Sequence, residues 1–161
     1  MKILVSACLV GQKVRYDGKD RFTEGMEKLS QYHELLPFCP EVSGGLPVPR
    51  EPAELNGKAR DTLNGEGSII TSSGNDVTAE FLEGAGKALA LCLEKGAEAA
   101  ILKDGSPSCG STYVYDGNHC GVKIPGMGIT AELLTANGIR VFSEKNFHEL
   151  FPDECDYVRG E

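Results

Sequence analysis

The sequence predicts one α/β domain over residues 1–161, a mostly parallel sheet in three layers with helices on both faces. Short apolar runs alternate with stretches of helical periodicity, the pattern of a parallel sheet whose crossovers cover it. The length suits one hydrophobic core and leaves no room for a second. The composition, 40% hydrophobic and 25% charged, is that of a chain that folds. No repeat, low-complexity stretch or linker divides it.

The elements follow in order. Lys2 to Cys8 is a buried strand, with Ile3, Leu4, Val5 and Ala7 nearly continuous. Phe22, Met26 and Leu29 recur at near-helical spacing and predict a helix within 19–34. Leu35 to Cys39 is a second strand, ended by Pro40. The stretch 40–57, rich in Pro and Gly, is expected to be a long shaped loop, neither helix nor central strand. Gly67 to Thr71 is a third strand. A helix opens at Asn75-Asp76-Val77-Thr78 and runs to about Lys95, with Phe81, Ala85, Ala88, Leu89, Cys92 and Leu93 on one face and Gly96 as its stop. Ala99 to Lys103 is a fourth strand, Thr130 to Asn137 a short helix, Ile139 to Phe142 a fifth strand, and 144–151 a last helical turn or two. Right-handed crossovers make this Rossmann-like, and ligands of such sheets bind beyond the carboxyl ends of the strands.

Charge and cysteine usage exclude several functions. A net charge of −8 argues against a broad nucleic-acid surface. No apolar run approaches the ~20 residues that span a bilayer, so no membrane partner is expected. The N-terminal apolar stretch turns polar after Cys8, too soon for a secretory signal, and a cytoplasmic location follows. The six cysteines include no C-x-x-C pair, and a reducing compartment disfavours disulfides.

Three of the six point to chemistry. Cys8 and Cys39 end the first and second predicted strands, and Cys109 lies six residues past the fourth. All three are therefore expected at one edge of the sheet. Converging thiolates select an iron–sulfur cluster, zinc or copper(I), whereas three buried thiols acting as small hydrophobes is the plain alternative. Three ligands on a [4Fe-4S] cube leave one iron open. Cys92 reads as core, Cys120 as part of a polar turn and Cys155 as part of an acidic tail. Glu41, two residues past Cys39, is a candidate for moving a proton, on the expectation that Pro40 keeps the chain extended and both side chains on one side. Ser106 and Ser108 flank Pro107 just ahead of Cys109 and offer hydroxyls to a substrate. Arg15 is a candidate anchor for a carbonyl or anionic group. The helix opening at Asp76 offers backbone N–H groups to a phosphate. His33 or His119 could instead complete a Cys₃His zinc site in a non-catalytic metal carrier or sensor. A cysteine-nucleophile hydrolase leaves two of the three thiols unused.

Ser6-Ala7-Cys8-Leu9, Arg15-Tyr16-Asp17-Gly18, Cys39-Pro40-Glu41-Val42 with Gly44-Gly45-Leu46-Pro47 and Pro49-Arg50, Asp76-Val77-Thr78, and Ser106-Pro107-Ser108-Cys109-Gly110 occur in that order. This ordered set resembles the thiouracil desulfurase (desulfidase) family over about Lys2 to Glu144. The resemblance implies a [4Fe-4S] cluster on Cys8, Cys39 and Cys109, with Glu41 and Ser106 assisting and Ser108 the nearby alternative to Ser106. It implies a non-redox reaction, in which a thiolated uracil and water give uracil and hydrosulfide. Substrates across such a family range from free base and nucleotide to thiolated tRNA. The acidic charge and the absence of a fused domain favour a small thiolated pyrimidine over thiolated RNA.

Overall fold

A computed structural model describes residues 1–151. Four strands, β1 (Lys2–Ser6), β2 (Glu34–Phe38), β5 (Ala99–Leu102) and β8 (Arg140–Ser143), form one sheet in the order β2-β1-β5-β8. Every pairing in it is parallel, with Ser6 opposite Phe38 and Val5 opposite Ile101. Two antiparallel hairpins accompany the sheet: β3 (Ala53–Asn56) with β4 (Ser68–Thr71), and β6 (Tyr113–Tyr115) with β7 (Lys123–Pro125). The helices are α1 (Met26–Leu29), α2 (Pro40–Ser43), α3 (Ala59–Leu63), α4 (Thr78–Lys95) and α5 (Ile129–Ala136). Tight 3-10 turns occupy Ala7–Val10 and Phe147–Leu150.

Strand alternation splits the core between the two faces. Ile3, Val5, Ala99 and Ile101 face one way and pack with Met26, Leu29 and Phe147. Leu4, Ala100 and Leu102 face the other way and meet Ala88 and Cys92 of α4 and Ala131 and Leu134 of α5. The predicted three layers are therefore present, but unequal. One face carries the long α4 with α5, and the other carries α1 and two 3-10 turns.

Four expectations need correction. The helix expected within 19–34 is only Met26–Leu29, because Gly25 before it adopts φ +98 and breaks the helical path; Phe22 stays 57% exposed. The 40–57 stretch is not all loop. Pro40 occupies the first helical position, where its missing N–H costs nothing, and Ala53–Asn56 pairs as a strand. The strand at 68–71 does not join the main sheet. It pairs antiparallel with β3, and that hairpin buries Leu55 and Ile69 against Phe81 and Ala85 of α4. Leu93, expected on the buried face of α4, is exposed. No described helix is long and apolar enough to cross a membrane.

Candidate functional site

The topology brings the three cysteines together. β2, β1 and β5 are adjacent and parallel, so their carboxyl ends share one edge. Cys8 follows β1 by two residues, Cys39 follows β2 by one, and the loop after β5 returns Cys109 to the same edge. All three line a single cavity of about 400 Å³, together with Arg15, Glu41, Arg50, Lys103, Asp104, Ser106, Tyr113 and Tyr115. Cys8 and Cys109 are buried and Cys39 is partly exposed. Burial pushes the Cys8 thiol up to about 11, with Cys39 adding to the rise and Lys103 and Arg15 opposing it. Burial also raises Cys39, against a backbone hydrogen bond from Val42. It raises Cys109 further, against the Ser6 hydroxyl, with Cys39 and Cys8 among the charges that Cys109 feels. The three sulfurs thus share one electrostatic environment.

The Cys39 arm is set by close backbone packing. Cys39 is extended (φ −115, ψ 105) and α2 begins immediately after it. Gly44, which ends α2, lies so close to α4 that a Cβ there would meet the Glu80 carbonyl. A Cβ on Gly84 of α4 would meet the Pro40 carbonyl. Two glycines facing each other thus let the turn carrying Cys39 and Glu41 rest on α4. Glu41 and Cys39 reach the same cavity, but through a helical turn rather than the expected extended chain.

One guanidinium holds the Glu41 carboxylate. Arg50 Nε donates to Glu41 Oε1 at 3.2 Å, Nη1 to the Pro47 carbonyl at 3.0 Å and Nη2 to the Val14 carbonyl at 2.9 Å. Every nitrogen of that nearly buried fork has an acceptor. The other Glu41 oxygen accepts the Ser106 hydroxyl at 3.1 Å. The Ser106 oxygen in turn accepts the N–H groups of Ser108 (3.0 Å) and Cys109 (3.2 Å). Glu41, Ser106 and Cys109 are therefore one connected unit.

The Cys109 arm is set by a buried carboxylate. Asp104 Oδ1 accepts N–H groups from Gly105 (3.0 Å), Ser111 (3.0 Å), Thr112 (3.1 Å) and Tyr113 (3.3 Å), and Oδ2 accepts the Thr112 hydroxyl. Burial alone would raise this carboxyl, but the hydroxyl and N–H donors hold it below its ordinary value. Ser108, a sequence candidate for substrate contact, does not line the cavity. It is fully buried, and its hydroxyl bonds Thr130 at 2.6 Å. Its carbonyl accepts the N–H groups of Thr130 and Ala131, which fastens the loop to α5.

The other candidates fall as follows. Arg15 lines the cavity, and its Nη1 is 3.4 Å from Asp17 yet has no hydrogen-bond partner among the described residues. His119 lies between Glu54 (3.3 Å) and the Ile70 carbonyl (3.0 Å), and His33 lies beside the N-terminal amine and the Phe151 ring. Neither histidine lines the cavity, so a Cys₃His set does not form. The N–H of Thr78 is taken by Asp76 at 2.9 Å, away from the cavity, which removes the expected phosphate seat. Cys92 is core, Cys120 is exposed, and Cys155 lies outside the described residues.

The chemistry of the donor set fits a cluster. Three thiol side chains line one cavity, and thiolates are the soft donors that iron–sulfur clusters take.

Comparison with known proteins agrees. The profile of the 2-thiouracil desulfurase family matches residues 3–146. This chain belongs to that family. It is 47% identical over 149 residues to the uncharacterized protein YbbK of Bacillus subtilis (strain 168), covering 92% of this chain and 99% of the relative. A solved structure of the [4Fe-4S]-dependent thiouracil desulfidase TudS is 49% identical, with a TM-score of 0.85 over 94% of this chain and 96% of that one.

Sequence reasoning missed Lys103, Asp104 and the anchoring role of Arg50. Charged residues directly after the all-buried β5 were the available signal, since a charge at the carboxyl end of such a strand faces the ligand edge.

Proposed function

We propose that this chain is a [4Fe-4S]-dependent desulfurase acting on a small thiolated uracil, a free base or a nucleotide. The observation that carries the reading is the shared cavity of Cys8, Cys39, Cys109 and the Glu41–Ser106 pair. Its membership of the 2-thiouracil desulfurase family supports it. Bound to the three cysteines, the cluster supplies an open iron, a soft Lewis acid suited to a thiocarbonyl sulfur.

The chain's own residues do the rest. Arg15 lines the cavity with an Nη1 that is 3.4 Å from Asp17 and has no hydrogen bond among the described residues, and it donates to a ring carbonyl. Glu41 is presented to the cavity by Arg50 and accepts a proton from the attacking water. Ser106, which donates to Glu41, can turn its proton to the substrate while its oxygen stays anchored by two N–H groups. Tyr113 and Tyr115 line the same cavity and give a pyrimidine aromatic surface to pack against. A carbon–oxygen bond replaces the carbon–sulfur bond, sulfur leaves as hydrosulfide with one proton released, and no electrons are transferred. The test is anaerobic reconstitution, iron and sulfide analysis, and incubation with 2-thiouracil. Equal amounts of uracil and hydrosulfide are expected. Loaded protein that forms neither overturns the reading.

A further inference from the structure

The geometry points to Lys103 as the residue that binds the released hydrosulfide, an inference that rests on the reaction proposed above. Lys103 lies directly after β5, and its N–H donates to Ser6 Oγ at 2.9 Å. Val5 stands opposite Ile101, so two residues further on Lys103 stands level with Ala7, beside Cys8. Its ammonium donates to Glu144 Oε2 at 2.9 Å and to the Asp104 carbonyl at 2.8 Å. Glu144 follows β8, the neighbour of β5, and is itself fixed by the Asp104 N–H at 2.9 Å.

An ammonium has three donors. Two are taken, and the side chain lines the cavity of the three cysteines. The other two cations of the cavity are committed elsewhere. Arg50 uses all three nitrogens on protein acceptors, and Arg15 has the ring carbonyl as its assigned partner. The reaction makes an anion in a partly buried space, and an anion there needs a charged donor. Lys103 has the charge, an N–H with no partner among the described residues, and a tether that keeps it at the cavity of the three cysteines.

The test titrates cluster-loaded protein with sodium hydrosulfide under anaerobic conditions. It reads the change in visible absorbance, and separately the hydrosulfide concentration that halves turnover of 2-thiouracil. Lys103→Gln keeps an amide able to reach Glu144 and loses the charge; Lys103→Arg keeps the charge. Loss of a charged hydrogen bond predicts that both midpoints rise about tenfold or more in Lys103→Gln and stay within about threefold in Lys103→Arg. Iron per chain is measured in each variant. Should Lys103→Gln fail to load, Lys103→Met in the same titration decides, with the same rise expected. A loaded neutral variant with wild-type midpoints overturns the inference and leaves the desulfurase reading intact. Wild-type protein that takes up no iron overturns it together with the proposed function, and failure of both Lys103→Gln and Lys103→Met to load iron overturns it by showing that Lys103 is needed for the site itself.

Discussion

Two arms of this molecule do the same task by different physics. The 39–50 arm delivers Cys39 and Glu41, and the 104–113 arm delivers Cys109 and Ser106, each a thiol with a polar partner. The first is seated by shape, because Gly44 and Gly84 let two backbones touch. The second is seated by charge, because one Asp104 carboxylate collects four N–H groups and a hydroxyl. Steric seating is indifferent to pH and intolerant of added volume. Electrostatic seating has the opposite weaknesses. Among the described residues, the hydrogen bond that joins the two arms is that of Ser106 to Glu41, so the seating of each can be broken separately.

The largest effect is expected at the thiols. Cys8→Ala, Cys39→Ala or Cys109→Ala is predicted to lose the cluster, read as iron per chain after reconstitution, whichever arm carries the residue. Next comes Asp104→Ala, which strands several buried N–H groups and is expected to cost about 3–5 kcal/mol in denaturant unfolding. Gly84→Ala drives a methyl against the Pro40 carbonyl, and overpacking of that kind costs about 1–3 kcal/mol. If Gly84→Ala were neutral, the steric account of the first arm would fall. Glu41→Gln is isosteric and removes the proton acceptor together with the charge that faces Arg50. It should keep cluster content while slowing turnover about 100-fold, read as kcat with 2-thiouracil.

A pH series of unfolding free energies sharpens the contrast. The folded-state pKa of Asp104 lies below its ordinary 3.8. The unfolded chain therefore binds the proton first as pH falls, and the Asp104 contribution is complete above about pH 4–5 and lost below. Wild type and Gly84→Ala should lose stability in parallel through that window. Asp104→Asn should lose less, and parallel curves for all three would remove Asp104 as the acid-sensitive anchor. The smallest effect is expected at Arg60–Glu132, an exposed pair whose loss should shift stability by about 0–1 kcal/mol.

Legibility in the sequence divided along the same line. The strands of the main sheet, α4 and α5 carried periodicity and caps of their own, and their positions were readable within a residue or two. The edge where Cys8, Cys39 and Cys109 meet followed from parallel topology alone. The 68–71 strand was readable as a strand but not in its partner, because pairing with 53–56 depends on which face of α4 the hairpin covers. The orientation of Ser108 was unreadable for a related reason: two serines flanking Pro107 are equivalent on paper, and only the docking of α5 turns one of them into the core.

By itself, then, the amino-acid order determined which chemistry was present. Three soft donors, a carboxylate and hydroxyls follow strand ends, and local periodicity suffices to find those ends. Only the tertiary structure decided how the groups act together. The Arg50 fork, the Asp104 cradle and the Lys103–Glu144 pair join segments distant in sequence, and hydrogen bonds of that kind depend on side-chain directions that no local pattern records.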